Sequence, residues 1–193
     1  RMRSFTVCCP TGYKSCVSCT AAANFPSSNG GKELNIRPIR FEEIPILRNF
    51  LYDAIYQRDE SNLLPRSILE QPEIKVYIEN FGEIDDHCLV ALDGDVIVGA
   101  AWARILSGPV KGFGNIDGQT PEFAISVLKK HRGKGIGTRL MLEMLHLLKE
   151  KGYSQASLAV QKDNPAVTMY RKVGFSVVAE NDEEYIMLHA FDA

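Results

Sequence analysis

The chain has 193 residues, 45% of them hydrophobic and 24% charged, with a formal net charge of −2. That length suits one domain with a sizeable core, and the composition is ordinary for a soluble globular protein. The slight acidity excludes a global attraction to nucleic acid or anionic membrane, and no run approaches the roughly 18 apolar residues of a membrane-spanning helix.

Residues 1–31 differ from the rest of the chain: they hold four of the five cysteines, several serines and Asn29-Gly30-Gly31, without helical or strand period. Cys16-Val17-Ser18-Cys19 is a C-x-x-C pair, yet adjacent Cys8 and Cys9 are awkward co-ligands and the first histidine is His87. No zinc site is expected from that set. No apolar core follows Arg1 and Arg3, so a secretory signal is not expected either. The reading is a flexible extension over 1–31 and one domain over 32–193.

Leu34-Asn35-Ile36-Arg37-Pro38-Ile39 alternates as a first strand. Ile44, Leu47, Leu51, Ala54 and Ile55 recur at helical spacing, with Pro45 tolerable only near the helix start. Pro65 and Pro72 break up a second helical region that ends near Asn80. Cys88–Leu92 and Val96–Trp102 flank Asp93-Gly94-Asp95, and Asp-Gly between apolar runs signals a hairpin. Cys88 sits in an apolar strand as an inert core thiol. Trp102, Tyr52, Tyr56 and Tyr185 are candidates for an acceptor pocket, with the core as the more common fate of such aromatics.

A glycine-rich stretch, 108–118, leads to Phe123-Ala124-Ile125-Ser126-Val127, a short strand. Next comes His131-Arg132-Gly133-Lys134-Gly135-Ile136-Gly137-Thr138-Arg139, followed by Leu140, Met141, Leu142, Met144, Leu145, Leu147 and Leu148, a largely buried helix. His131 reads as a surface residue. A glycine turn at a helix start leaves several backbone N–H groups unpaired and parallel, and lets a ligand approach the backbone. The helix dipole adds partial positive charge, and Arg132, Lys134 and Arg139 add full charges. The stretch is therefore a phosphate cradle. One anion gains only about 0.3–2 kcal/mol at a helix terminus, so the ligand should carry several phosphates or other anchors. A Walker loop needs G-x-x-x-x-G-K-[ST], which is absent. A dinucleotide fingerprint fails too, because Thr138 stands where its third glycine belongs.

Tyr153–Val160 is a further strand, and Asn164-Pro165 opens a short helix that Gly174 closes. Phe175–Val178 and Tyr185–Leu188 form a last hairpin around Asn181-Asp182-Glu183. His87, His146 and His189 lack metal spacing. The order β-α-α-β-β-β-α-β-α-β-β predicts an α/β (α+β) fold, a mixed sheet of about seven strands with helices on both faces.

Arg132-Gly133-Lys134-Gly135-Ile136-Gly137 fits [Q/R]-x-x-G-x-[G/A], and Asn164-Pro165-Ala166-Val167-Thr168-Met169-Tyr170-Arg171-Lys172-Val173-Gly174-Phe175 is similar to N-x-x-A-x-x-x-Y-x-x-x-G-F, matching it from Ala166 to Phe175 with Asn164 one residue closer to Ala166 than in that pattern. Together, in this order, they resemble the GCN5-related N-acetyltransferase (GNAT) superfamily over roughly 33–191. The resemblance implies acetyl-CoA as co-substrate, a direct transfer to a primary amine of a small molecule or peptide, and a cytoplasmic enzyme. It implies a mostly antiparallel central sheet in which strands four and five splay apart, with Val127 offering main-chain bonds to the pantetheine arm. Arg132, Gly133, Lys134, Gly135, Ile136, Gly137 and Thr138 would surround the pyrophosphate. Asn164 would contact pantetheine, with a plain N-cap as its other role. Tyr170 matches the family's general acid, since a phenol near pKa 10 is still protonated at neutral pH. Glu122 resembles the acidic residue that some members use as general base, with a solvated strand-end carboxylate as the alternative. Ribosomal-protein alanine acetyltransferases carry a glutamate in strand five, where this chain has Ala159. No metal, nucleic acid or membrane is implied, and a homodimer is left open. The competing function is a non-catalytic acyl-CoA-binding or sensing module; nucleic-acid binding through Lys129-Lys130-His131-Arg132 is weak, because that patch is short.

Overall fold

The computed structural model describes residues 34–59 and 61–192. The extension expected over 1–31, with its cysteines, lies outside the described residues. Seven strands form one sheet: β1 (Asn35–Pro38), β2 (His87–Asp93), β3 (Val96–Arg104), β4 (Glu122–Val127), β5 (Gln155–Gln161), β6 (Ser176–Glu180) and β7 (Glu184–Ala190). Their spatial order is β1-β2-β3-β4-β5-β7-β6. Every neighbouring pair is antiparallel except β4–β5. The helices are α1 (Leu47–Ala54), α2 (Pro72–Lys75), α3 (Ile136–Glu150) and α4 (Ala166–Lys172). This is the element order read from the sequence.

Local differences have local causes. The expected first helix begins as a 3₁₀ segment, Phe41–Ile46, because Pro45 has no N–H to donate and crowds the preceding turn. The β2–β3 turn falls on Gly94-Asp95, since Asp93 already pairs with Val96. The α3 helix is buried on one face rather than nearly all round. Leu140, Met141, Met144 and Leu148 are fully buried, whereas Leu142 is 52% exposed.

Two apolar clusters lie on the two sides of the sheet. One joins α3 and α4 to Leu89, Ala101, Phe123, Leu158 and Met187. The other joins Leu47, Phe50 and Leu51 of α1 and Leu69 to Val90, Ala100 and Trp102. Alanines at 91, 100, 101 and 103 are all fully buried; their small side chains let helices sit close to the central strands. Each buried Leu or Met of α3 contributes about 1.5–3 kcal/mol of burial, which holds the start of α3 against the edge of β4. No described helix is long and apolar enough to cross a membrane.

Candidate active site

Strands β4 and β5 pair only at Glu122–Ser157, after which they part. The expected splay is therefore present. The N–H of Leu128 bonds the Val98 carbonyl at 2.9 Å, so Gly99 and Val127 face each other as a non-hydrogen-bonded pair. That geometry turns the N–H and C=O of Val127 away from β3 and into the opening. The Val127 carbonyl accepts from Arg132 Nε at 2.8 Å.

The basic glycine stretch comes immediately after. Gly133 and Gly135 have φ of +74° and +79°, a left-handed backbone that side chains disfavour. Gly135 is the N-cap of α3. The N–H groups of residues 133–138 make no hydrogen bond with any described residue. Nothing lies within 4 Å of a Cβ built on Gly133 or Gly135, so a ligand can reach this backbone. Gly137 faces Met169 of α4, whose Sδ would sit 3.4 Å from an added Cβ.

A cavity of about 820 Å³ runs along this edge. Its wall includes Val127, Arg132, Gly133, Gly135, Ile136, Gly137, Thr138, Asn164 and Tyr170. Of the residues read as cofactor contacts, Lys134 alone is off the wall, an exposed side chain beside it. His131 is on the wall as well, partly buried, its side chain 12% exposed and 4.0 Å from Asp93 Oδ2. The Asn164 side-chain oxygen accepts from the Ala166 N–H at 2.9 Å in an Asx turn just ahead of α4, whose N-cap is Pro165, while Asn164 also lines the cavity.

Tyr170 is 8% exposed and packs edge-on against Phe175, with ring centroids 6.2 Å apart. Burial pushes its hydroxyl up to about 12. It is therefore protonated at any physiological pH, as a proton donor must be.

Glu122 is placed differently. It is 1% exposed, so the solvated strand-end alternative does not hold. It is also absent from the cavity wall. Its Oε1 accepts from the Tyr77 hydroxyl and from the Gly114 N–H, the latter at 2.7 Å. Its Oε2 is buried with no partner among the described residues. Burial raises the carboxyl to about 7, against the Tyr77 and Gly114 hydrogen bonds that oppose the shift. Arg104, the register partner of Glu122 on β3, aims Tyr77 at it. Arg104 Nη1 donates to the carbonyls of Val76 and Glu79, both at 2.8 Å, and Nε to Asp86 Oδ1 at 2.6 Å. The turns around Tyr77 are thereby fixed to the sheet.

The candidate aromatics separate. Trp102 is fully buried, with Nε1 donating to the Tyr77 carbonyl at 3.2 Å, so it belongs to the core. Tyr52 and Tyr56 line the cavity with Asp53, Gln57 and Leu63; Tyr185 instead carries Lys162 and Arg171 over its ring. Cys88 is buried and its thiol is pushed up by desolvation, as an inert thiol should be. Among the described residues no group of three His, Cys, Asp or Glu could hold a metal ion. Tyr77 and Ser126 were not singled out by sequence reasoning. Nothing local marks Tyr77, whereas Ser126 is the one hydroxyl in the run Phe123–Val127.

The sequence pattern of the Acetyltransferase (GNAT) family matches residues 52–175, from within α1 to the residue before β6. The chain is 39% identical over 67 residues to the uncharacterized N-acetyltransferase YobR of Bacillus subtilis (strain 168), a match that covers 34% of this chain and only 27% of YobR. It is 31% identical over 132 residues to the uncharacterized N-acetyltransferase YjcF of the same strain, covering 68% of this chain and 82% of YjcF. The structure of yncA from Salmonella typhimurium with its cofactor acetyl-CoA superposes with a TM-score of 0.62 at 16% identity, over 83% of this chain and 95% of that one. That likeness concerns the fold. With the family pattern spanning well over half of its length, the chain belongs to the Acetyltransferase (GNAT) family.

Proposed function

We propose that this chain is an acetyl-CoA-dependent N-acetyltransferase that moves an acetyl group directly to a primary amine of a small molecule or peptide. The observation that carries this reading is the run of unpaired N–H groups at residues 133–138, on the wall of a cavity that also holds Tyr170. Such a run fits a pyrophosphate, whose several oxygens can take several donors at once. Arg132 adds a full charge there. The main chain of Val127, turned into the splay, suits the amides of a pantetheine arm, and its N–H suits the oxyanion of a tetrahedral intermediate.

In this reading the amine nitrogen bonds the acetyl carbonyl carbon and the C–S bond then breaks. Tyr170 gives its proton to the departing sulfur, and the amine loses one proton in exchange. Holding both reactants in one cavity supplies much of the acceleration. We assign Glu122, which lies behind the cavity wall, as the acceptor of the amine's proton through an intervening water, since a carboxyl near 7 is well matched to neutral pH. Asn164 is assigned to the pantetheine arm. The reaction needs no metal, nucleic acid or membrane, and we place it in the cytoplasm.

One observation favours a second reading. Glu122 lies beneath Gly112–Gly114 and off the cavity wall, which suits an acyl-CoA-binding module without turnover. Thiol release from acetyl-CoA, measured across a panel of amines and peptide N-termini, separates the two. Release that depends on the amine supports the enzyme; tight acetyl-CoA binding with no release for any acceptor supports the binding module.

A further inference from the structure

We propose that the Ser126 hydroxyl contacts the acceptor amine and selects primary over secondary amines, an assignment that rests on the acetyltransferase reading above. Ser126 lies on the cavity wall and is 5% exposed. Its Oγ is buried without a hydrogen-bond partner among the described residues. A buried hydroxyl left unpaired costs stability, and alanine at the same place would remove that cost. A polar group kept unpaired beside a cavity is one whose partner comes with the ligand.

The face of the sheet decides which ligand atom that is. Side chains alternate along a strand. Ile125 and Val127 pack with the cluster of α3 and α4, and Ala124 with the cluster of α1. Ser126 therefore projects to the α1 side. Tyr170, the donor to sulfur, belongs to the α3 and α4 side. The α1 side of the cavity is walled by Tyr52, Asp53, Tyr56 and Leu63, and these leave room for the nucleophile rather than the leaving group. Ser126 thus faces the amine.

A neutral primary amine has two N–H bonds and one lone pair. One N–H donates to Ser126 Oγ, which fixes the nitrogen and turns its lone pair toward the acetyl carbonyl carbon. The second N–H supplies the proton lost once the C–N bond has formed. A secondary amine has a single N–H and cannot do both. Contact with Ser126 thereby becomes a counter of N–H bonds.

Steady-state kinetics on the full chain test this with benzylamine against N-methylbenzylamine, and with peptide amides beginning in glycine against sarcosine. The parent should favour the primary member of each pair. Ser126→Ala should raise the KM for the primary member about tenfold and bring the two members closer together. Acetyl-CoA affinity should stay unchanged, and Tm should hold or rise, because an unpaired hydroxyl has gone. An unchanged KM and ratio in Ser126→Ala would overturn the assignment alone. So would a fall in Tm accompanied by weaker acetyl-CoA binding, which is the mark of a packing role. A parent that binds acetyl-CoA but releases thiol with no acceptor of the wider amine and peptide panel would overturn the acetyltransferase reading, and this assignment with it.

Discussion

The two ends of the cavity use glycine for opposite purposes. At the end proposed to hold the cofactor, Gly133 and Gly135 have positive φ and an added Cβ would meet nothing. Behind the reacting end, Gly112 and Gly114 have no such backbone, yet a Cβ on either would collide with protein. On Gly112 it would fall on the Glu122 carboxylate and 2.7 Å from Leu106 Cδ1; on Gly114 it would lie 2.6 Å from the Leu158 carbonyl carbon. The first pair leaves room for a ligand. The second leaves room for the chain itself, so that a loop can lie on β5 and bury Glu122. One end is built within ten residues of sequence, and the other is assembled from Tyr77, the 112–114 loop, Glu122, Ser126 and Tyr170.

The largest expected effect belongs to the assembled end. Tyr170→Phe keeps the ring against Phe175 and removes the hydroxyl proposed as the proton donor. If the contrast between a binding end and a reacting end is right, kcat falls about 10²–10⁴-fold, the usual span for acid–base catalysis. Acetyl-CoA affinity, measured by calorimetry, should hardly move, because the hydroxyl matters as charge develops on sulfur. Equal losses of affinity and rate would make Tyr170 part of the binding end, and the contrast would break.

Glu122→Gln sharpens it. This carboxyl titrates ordinarily near 4.5 and here near 7. A raised folded-state pKa means that folding favours the protonated form. Its contribution is whole below about 4.5 and is lost as pH rises through about 7. The gap corresponds to about 2–4 kcal/mol. The amide of the variant never ionises, so urea unfolding from pH 4.5 to pH 8 should show the parent losing roughly that much stability relative to the variant. Parallel curves for the two proteins would mean that Glu122 is not held in its raised state by burial.

How much was legible divides along the same line. The glycine turn and the helix behind it were readable because each of their requirements is local: glycine for the left-handed backbone and apolar spacing for α3. The splay was expected from the family resemblance, and the single Glu122–Ser157 pairing bears it out. Adjacent strands of the last hairpin were readable too, but nothing in Phe175–Leu188 says that β7 rather than β6 pairs with β5. The setting of Glu122 could not be read at all. It depends on Tyr77, which is 45 residues earlier in the chain, and on the Arg104 clamp that orients it. Nor does spacing alone separate Trp102, sealed in the core, from Tyr52 and Tyr56 on the cavity wall.

Gly112→Ala tests whether the second kind of glycine is about packing. The added methyl must displace the Glu122 carboxylate or Leu106, and overpacking of this sort costs about 1–3 kcal/mol. For a domain of this size the corresponding drop in Tm is about 2–4 °C per kcal/mol. Acetyl-CoA affinity should be unchanged, since neither Gly112 nor Glu122 lines the cavity. A variant as stable as the parent would show that the loop shifts freely, and that Glu122 is not sealed beneath it.

Gly135→Asp makes the matching change at the other end, with the smallest expected cost. The space around Gly135 is open, so the substitution meets no neighbour. It must bear only the left-handed backbone at φ +79°, a conformation that aspartate tolerates better than most side chains. The fold should therefore survive, with a near-parental melting curve. What changes is the electrostatics of the cradle. A carboxylate at the N-cap of α3 occupies the position where the unpaired N–H groups would meet phosphate, and it repels an anion there. Acetyl-CoA binding should fall at least about tenfold, equivalent to roughly 1.4 kcal/mol. The loss should shrink as salt is added, because two exposed like charges are screened over about 10 Å at 0.1 M ionic strength. Gly135→Ala separates charge from shape. It carries at least as much backbone strain as Gly135→Asp without the negative charge, and should retain most of the affinity that Gly135→Asp loses. If both variants bind acetyl-CoA as the parent does, the glycines of the cradle serve only the turn, and the phosphates lie elsewhere.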